Sequence, residues 1–212
     1  MTVTHPHEIA ASAAFYKRLM ATAGLSDKDH EASLGVIGNT QGYRLNAPLQ
    51  ESKNCCRSDI DAIEGKGLHV PDGFSLFIGV HFHPTDWNIH PSEDDLIKHY
   101  GETYRMGDDP YQFVFSTEVI GVATETATTL LFLQYNRQAE YDPQIPKDHY
   151  RLLSPFYLEK PSAGALANAL SDLGCYNSFA ISFRNYNEYV RSLSRLKTFK
   201  FVEALAYSND DT

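Results

Sequence analysis

The sequence reads as an α/β (α+β) fold, and three observations lead there. Apolar runs of strand length alternate with stretches of helical periodicity. Their order is helix, hairpin, strand, helix and then further strands, as expected when helices and strands share one core. With 212 residues, 42% of them hydrophobic and 21% charged, the chain is long enough for a sizeable core and ordinary in composition.

Residues 1–9 are polar and read as a tail; His5-Pro6-His7-Glu8 lacks the second histidine of a His-Glu-x-x-His pair. Ala10 to Ala23 is alanine-rich, with Phe15, Leu19 and Met20 at helical spacing, and Gly24 is a fitting stop. Glu31 to Gly38, the turn Asn39-Thr40-Gln41-Gly42 and Tyr43-Arg44-Leu45 form a hairpin pattern. Glu31 opens its first strand, where a charge is ordinarily just solvated. Ser52 to Glu64 is mixed and polar, with a helical turn expected over Ser58 to Glu64. Phe74 to Val80 follows Pro71, Asp72 and Gly73 and reads as a buried strand.

Asp95 to Met106 is helix-like, with Leu96, Ile97, Tyr100 and Tyr104 facing a core. Tyr111 to Phe115, Val119 to Ala123 and Thr129 to Tyr135 are strand-like. Pro143, Pro146 and Pro155 punctuate what reads as a linker. Beyond it come a helix over Ser162 to Leu173 stopped by Gly174, a strand over Ser178 to Phe183 and a helix over Asn187 to Tyr207. The chain therefore divides into the tail 1–9, a core 10–136 and, over 137–212, a linker with a small α/β extension, serving either packing or a partner-binding surface.

A formal net charge of -9 without a basic cluster argues against nucleic acid as a partner. No stretch has the length of a membrane helix or the pattern of a signal peptide, so no membrane association is expected. Cys55, Cys56 and Cys175 are odd in number, two of them adjacent, which is no disulfide framework and fits a reducing cytoplasm. The oligomeric state is not written in these features.

Chemistry concentrates in Gly79 to Leu96, GVHFHPTDWNIHPSEDDL. His81 and His83 stand where the preceding strand runs out, and the period of two sends both imidazoles to the same side. Pro84 ends the strand. Ser92-Glu93-Asp94-Asp95 then looks like a helix start, with Ser92 as N-cap and Asp95 three residues on. Two histidines and a carboxylate on rigid supports suit a catalytic zinc, which takes three protein ligands and keeps a fourth position open. Asp86 and His90 are further possible ligands, so residue types alone leave the set open.

His81-Phe82-His83-Pro84 followed by Ser92-Glu93-Asp94-Asp95 resembles the signature of the JAMM/MPN (JAB-domain) zinc metallopeptidases, His-x-His-Pro, a short spacer and Ser-x-x-Asp. The resemblance implies an MPN-like (cytidine-deaminase-like) core over residues 10–136, with a mixed central sheet flanked by helices. It implies Zn2+ held by His81, His83 and Asp95, the last chosen over Asp94 because it keeps the Ser-x-x-Asp-Leu phrase. By the same resemblance Ser92 stabilises the tetrahedral intermediate and Glu31, opening an earlier strand, activates the attacking water; Glu51 and Glu64 are the other glutamates considered. The implied activity is hydrolysis of an isopeptide or peptide bond, with a ubiquitin-like protein conjugate or a peptide as substrate. A JAB-type toxin or effector peptidase and a metal-free MPN-like scaffold are the alternatives.

Overall fold

Among the described residues, seven strands form one mixed sheet: β1 (Ala32–Asn39), β2 (Gly42–Leu45), β3 (Leu49–Gln50), β4 (Ser75–Phe82), β5 (Thr117–Ala123), β6 (Thr128–Tyr135) and β7 (Tyr176–Phe183). The computed structural model describes residues 10–28, 30–39, 42–45, 49–50, 75–85, 88–97, 117–135, 142 and 144–194. The strand order is β2-β1-β4-β5-β6-β7, with β3 also on β1. Pairing is antiparallel except between β4 and β5, which run parallel. The helices are α1 (Ala13–Ala23), α2, described over residues 93–97, α3 (Gln144–Leu158), α4 (Ala163–Asp172) and α5 (Tyr186–Ser194).

The expected first helix and hairpin are present. Ser12 caps α1 by accepting the Phe15 N–H at 3.1 Å, and Gly24 closes it. The hairpin of β1 and β2 turns between Asn39 and Gly42, which face each other in register. Strand β4 reaches beyond the expected Val80 through His81 to Phe82.

Alternation along β4 sorts the core into two layers. Ile78, Val80 and Phe82 join Leu34, Val36, Val119 and Phe132 on one face, under Phe15 and Leu19 of α1 and Tyr189 of α5. Ile120, Leu131 and Leu133 line the other face, under Leu96 of α2, Leu153 and Tyr157 of α3, and Leu166 and Leu170 of α4. His81 lies between Val80 and Phe82, so the pleat delivers it to this second face, where α2 begins.

The expected proline-punctuated linker is instead largely helix. Pro146 and Pro155 both lie within α3. Pro146 occupies the first turn, where an N–H has no intrahelical acceptor to lose. Pro155 lacks the N–H that the Arg151 carbonyl would accept one turn before it, and both residues are exposed. The burial of Leu153 and Tyr157 outweighs that loss. The segment after residue 136 is also part of the main core: β7 extends the sheet from β6 in register from Tyr135↔Tyr176 to Thr128↔Phe183.

The tail 1–9, the turn over Ser58 to Glu64, the strand Tyr111 to Phe115, the helical stretches beyond 97 and 194, and Cys55, Cys56, Glu51, Glu64 and Asp86 lie outside the described residues. Among the described residues no helix is long and apolar enough to cross a membrane.

Gly121 of β5 faces Phe82 across the parallel pair, and a Cβ there would come within 2.6 Å of the Phe82 ring. That ring is fully buried, so it has no room to yield. Gly121→Ala is expected to destabilise the protein by about 1–3 kcal/mol. A lower urea midpoint with an unchanged slope would show it.

Candidate metal centre

His81 and His83 converge with Asp95 because three local rules agree. The strand pleat sends His81 to the α2 face. The His83 backbone, just past the strand, is held from two sides: its N–H donates to the Gly121 carbonyl at 2.9 Å, and its carbonyl accepts from Ser26 Oγ at 2.8 Å. Ser92 and Asp95 form the expected reciprocal cap. The Ser92 N–H donates to Asp95 Oδ2 at 2.7 Å, and the Asp95 N–H donates to Ser92 Oγ at 3.0 Å. The cap fixes the Asp95 carboxylate at the first turn of α2, while Asp94 beside it is exposed.

The result is a compact donor set. His81 Nε2 and His83 Nε2 are 3.1 Å apart. Asp95 Oδ1 lies 3.6 Å from His81 Nε2, and Oδ2 lies 3.6 Å from His83 Nε2. Tetrahedral zinc with bonds of about 2.0–2.1 Å separates its ligand atoms by about 3.3 Å. The three residues can therefore hold a metal ion with little movement.

Both imidazoles are oriented from behind. His81 Nδ1 meets Glu118 Oε1 at 2.6 Å, and His83 Nδ1 meets the Asn88 carbonyl at 2.7 Å. A carboxylate and a carbonyl only accept, so each Nδ1 carries a proton and each neutral ring turns its Nε2 lone pair inward. Two lone pairs 3.1 Å apart repel unless a cation lies between them. A proton can serve in place of a metal. Burial lowers the His81 pKa, but the Asp95 charge, then the Glu118 hydrogen bond and charge, then the Glu31 charge outweigh it and raise it to about 9. Burial raises the Asp95 pKa, yet the His81 charge and the hydrogen bond to His83 hold it well below the usual carboxylate range.

Glu31 is buried at the entry to β1. Ser33, two residues on, pairs with His81 in register, so Glu31 and Ser33 share the His81 face. Ser92 is exposed at the start of α2. Its oxygen accepts from Asp95, and its own proton can be donated outward. His90 is not part of the converging set; it stacks on Tyr157 with ring centroids 4.7 Å apart.

Glu118 is the residue the sequence reading missed. A carboxylate opening an apolar strand-like run was the available signal, but its partner on β4 is 37 residues away. A second cluster offers no comparable chemistry. Cys175 Sγ lies 3.5 Å from His149 Nε2 and 3.6 Å from Nδ1, favouring neither nitrogen. Burial pushes the thiol up to about 11, so it is no ready nucleophile at neutral pH.

No family model, no curated protein and no solved structure matches the chain.

Two outcomes follow from this geometry. Glu118→Gln keeps an acceptor near His81 but removes the charge, and is expected to weaken metal binding about tenfold or more in a chelator competition. Without metal, the stability contributed by His81 is fully present below its ordinary value of 6.5 and is lost as the pH rises through about 9. Metal affinity runs the other way, since the proton competes, rising about tenfold per pH unit within that window. Thermal melts of chelator-treated protein and metal titrations from pH 6 to 10 should show these opposite trends.

Proposed function

We propose that this protein is a zinc hydrolase that cleaves an amide bond, with an MPN-like catalytic core. The observation that carries this reading is the convergence of two inward-facing Nε2 atoms and one carboxylate, with a buried glutamate on the same face. The ligand set, two nitrogens and one oxygen, is one that catalytic zinc accepts while retaining an open position.

Zinc at this site supplies Lewis acidity, which makes water a usable nucleophile near neutral pH and polarises a carbonyl. Glu31 takes the proton of the attacking water and delivers it to the leaving amine. Ser92, exposed beside Asp95 in the cap, donates a hydrogen bond to the oxygen on which negative charge develops. Glu118 and the Asn88 carbonyl hold the two imidazoles in the tautomer that leaves Nε2 free to bind. The motif's resemblance to JAMM/MPN peptidases supports a peptide or isopeptide bond as target. Its proposed substrate is the extended C-terminal tail of a ubiquitin-like modifier, with a toxin-type peptidase acting on other peptides as the neighbouring possibility. The proposed setting is the cytoplasm.

One observation favours a second reading. Protonated His81 can donate across to His83 while Asp95 balances the charge, which closes the polar network without metal. On that reading the chain is a metal-free MPN-like scaffold that binds partners.

Metal analysis separates the two. Protein prepared without chelator is expected to carry about one zinc per chain, and His83→Ala to lose most of it. No uptake of zinc on addition would support the scaffold. Glu31→Gln is expected to retain zinc and to cleave a ubiquitin-like fusion about a hundredfold more slowly or worse. Wild-type turnover by that variant would remove Glu31 from the mechanism. A panel of such fusions beside short peptides distinguishes the two substrate classes.

A further inference from the structure

Among the described residues, two buried side-chain oxygens have no hydrogen-bond partner: Ser33 Oγ and Tyr157 Oη. Buried hydroxyls are nearly always satisfied, and an orphan commonly marks the place of a water, ion or ligand. Both of these belong to the face that carries His81. Ser33 is paired with His81 across β1 and β4, and Tyr157 packs in the same apolar cluster as Leu96, the neighbour of Asp95.

Tyr157 is the more informative of the two. The Asn88 carbonyl accepts from His83, and His90, two residues on, lies flat against the Tyr157 ring, 4.7 Å between centroids at 21°. Tyr150 packs edge-on, 5.9 Å away, so the phenol ring is held between Tyr150 and His90. His90 stands two residues before Ser92, and Tyr157 packs in one cluster with Leu96, so both rings lie against the elements that carry the donor set. Yet the hydroxyl bonds to none of these groups. Burial, with Tyr150 and Asp95, raises the phenol above its ordinary value, so it stays a proton donor throughout the neutral range.

We infer that Tyr157 is a substrate-binding residue of the metal centre, its hydroxyl donating a hydrogen bond to a carbonyl-type oxygen of the molecule bound there. His90 acts as a positioning residue by holding the ring. The inference rests on the metal reading above and adds the acceptor chemistry of the ligand: an amide, hydroxamate or carboxylate oxygen. A phenol satisfied only on binding costs the empty protein a buried, unmet donor and rewards the correct ligand, which is how a site gains selectivity for polar groups.

The probe is acetohydroxamate, a small carbonyl chelator, titrated into cobalt-substituted protein and followed by the cobalt absorption bands. Tyr157→Phe is expected to take up the same amount of metal and to melt at the same temperature or slightly higher. Its acetohydroxamate dissociation constant should rise about fivefold to tenfold. 2-Mercaptoethanol, whose sulfur is a poor acceptor, should bind both proteins alike. Equal hydroxamate affinity in the two proteins would overturn the inference while leaving the metal centre intact. So would a markedly lower melting temperature, which would mean the hydroxyl is structurally engaged, or an equal loss of mercaptoethanol binding, which would mean the pocket itself had shifted. Wild-type protein that took up no metal would overturn both this inference and the zinc reading.

Discussion

The two Nε2 atoms of His81 and His83, held 3.1 Å apart while each Nδ1 is tied to an acceptor behind it, are the constraint around which the second face of the sheet is arranged. Neutral imidazoles fixed in that way present lone pairs to one another, and hydrophobic packing does nothing to relieve the repulsion. The surrounding charges do. Asp95 lies in front, Glu118 behind and Glu31 alongside, and all act on His81 in the direction that favours a positive charge between the rings. The protein has gathered carboxylates around a small space in a region otherwise filled by Ile120, Leu131, Leu133 and Leu96. A buried cluster of that charge is costly unless a cation balances it.

The supports are rigid for reasons that are individually ordinary. Strand pairing sets the position of His81, two backbone hydrogen bonds set His83, and a reciprocal helix cap sets Asp95. Placing ligands at a strand end and a helix start holds them more precisely than a loop would. The parallel contact between β4 and β5 adds the remaining element, because it brings Glu118 to the back of His81. Without that crossover the first histidine would lack its orienting carboxylate.

Short-range rules made the two donor pairs legible in the sequence, while the choice of His81, His83 and Asp95 over Asp86 and His90 came from the motif's resemblance. A period of two relates His81 to His83, and a spacing of three relates Ser92 to Asp95, so both pairs could be placed before the sheet was known. The first helix, the hairpin and most strand positions were legible for the same reason. Glu31 needed more: only the antiparallel register Ser33↔His81 shows that it shares the histidine face. Glu118 was invisible because no local pattern encodes a parallel pairing across a long connection. Helix α3 was obscured by Pro146 and Pro155, each tolerated for a positional reason that residue type does not reveal. Tyr157, seven-tenths of the way along the chain, was hidden with it.

His81, His83 and Asp95 together can offer a metal ion two imidazole nitrogens and a carboxylate oxygen. X-ray absorption on the zinc-loaded protein at neutral pH tests that donor set most directly, since it reads ligand type and distance without any assumption about substrate. The expected spectrum has a first shell of nitrogen and oxygen at about 2.0–2.1 Å, with the outer-shell scattering of two imidazoles and no sulfur. A sulfur scatterer at about 2.3 Å, or a spectrum unchanged when His81 and His83 are both replaced by alanine, would contradict it.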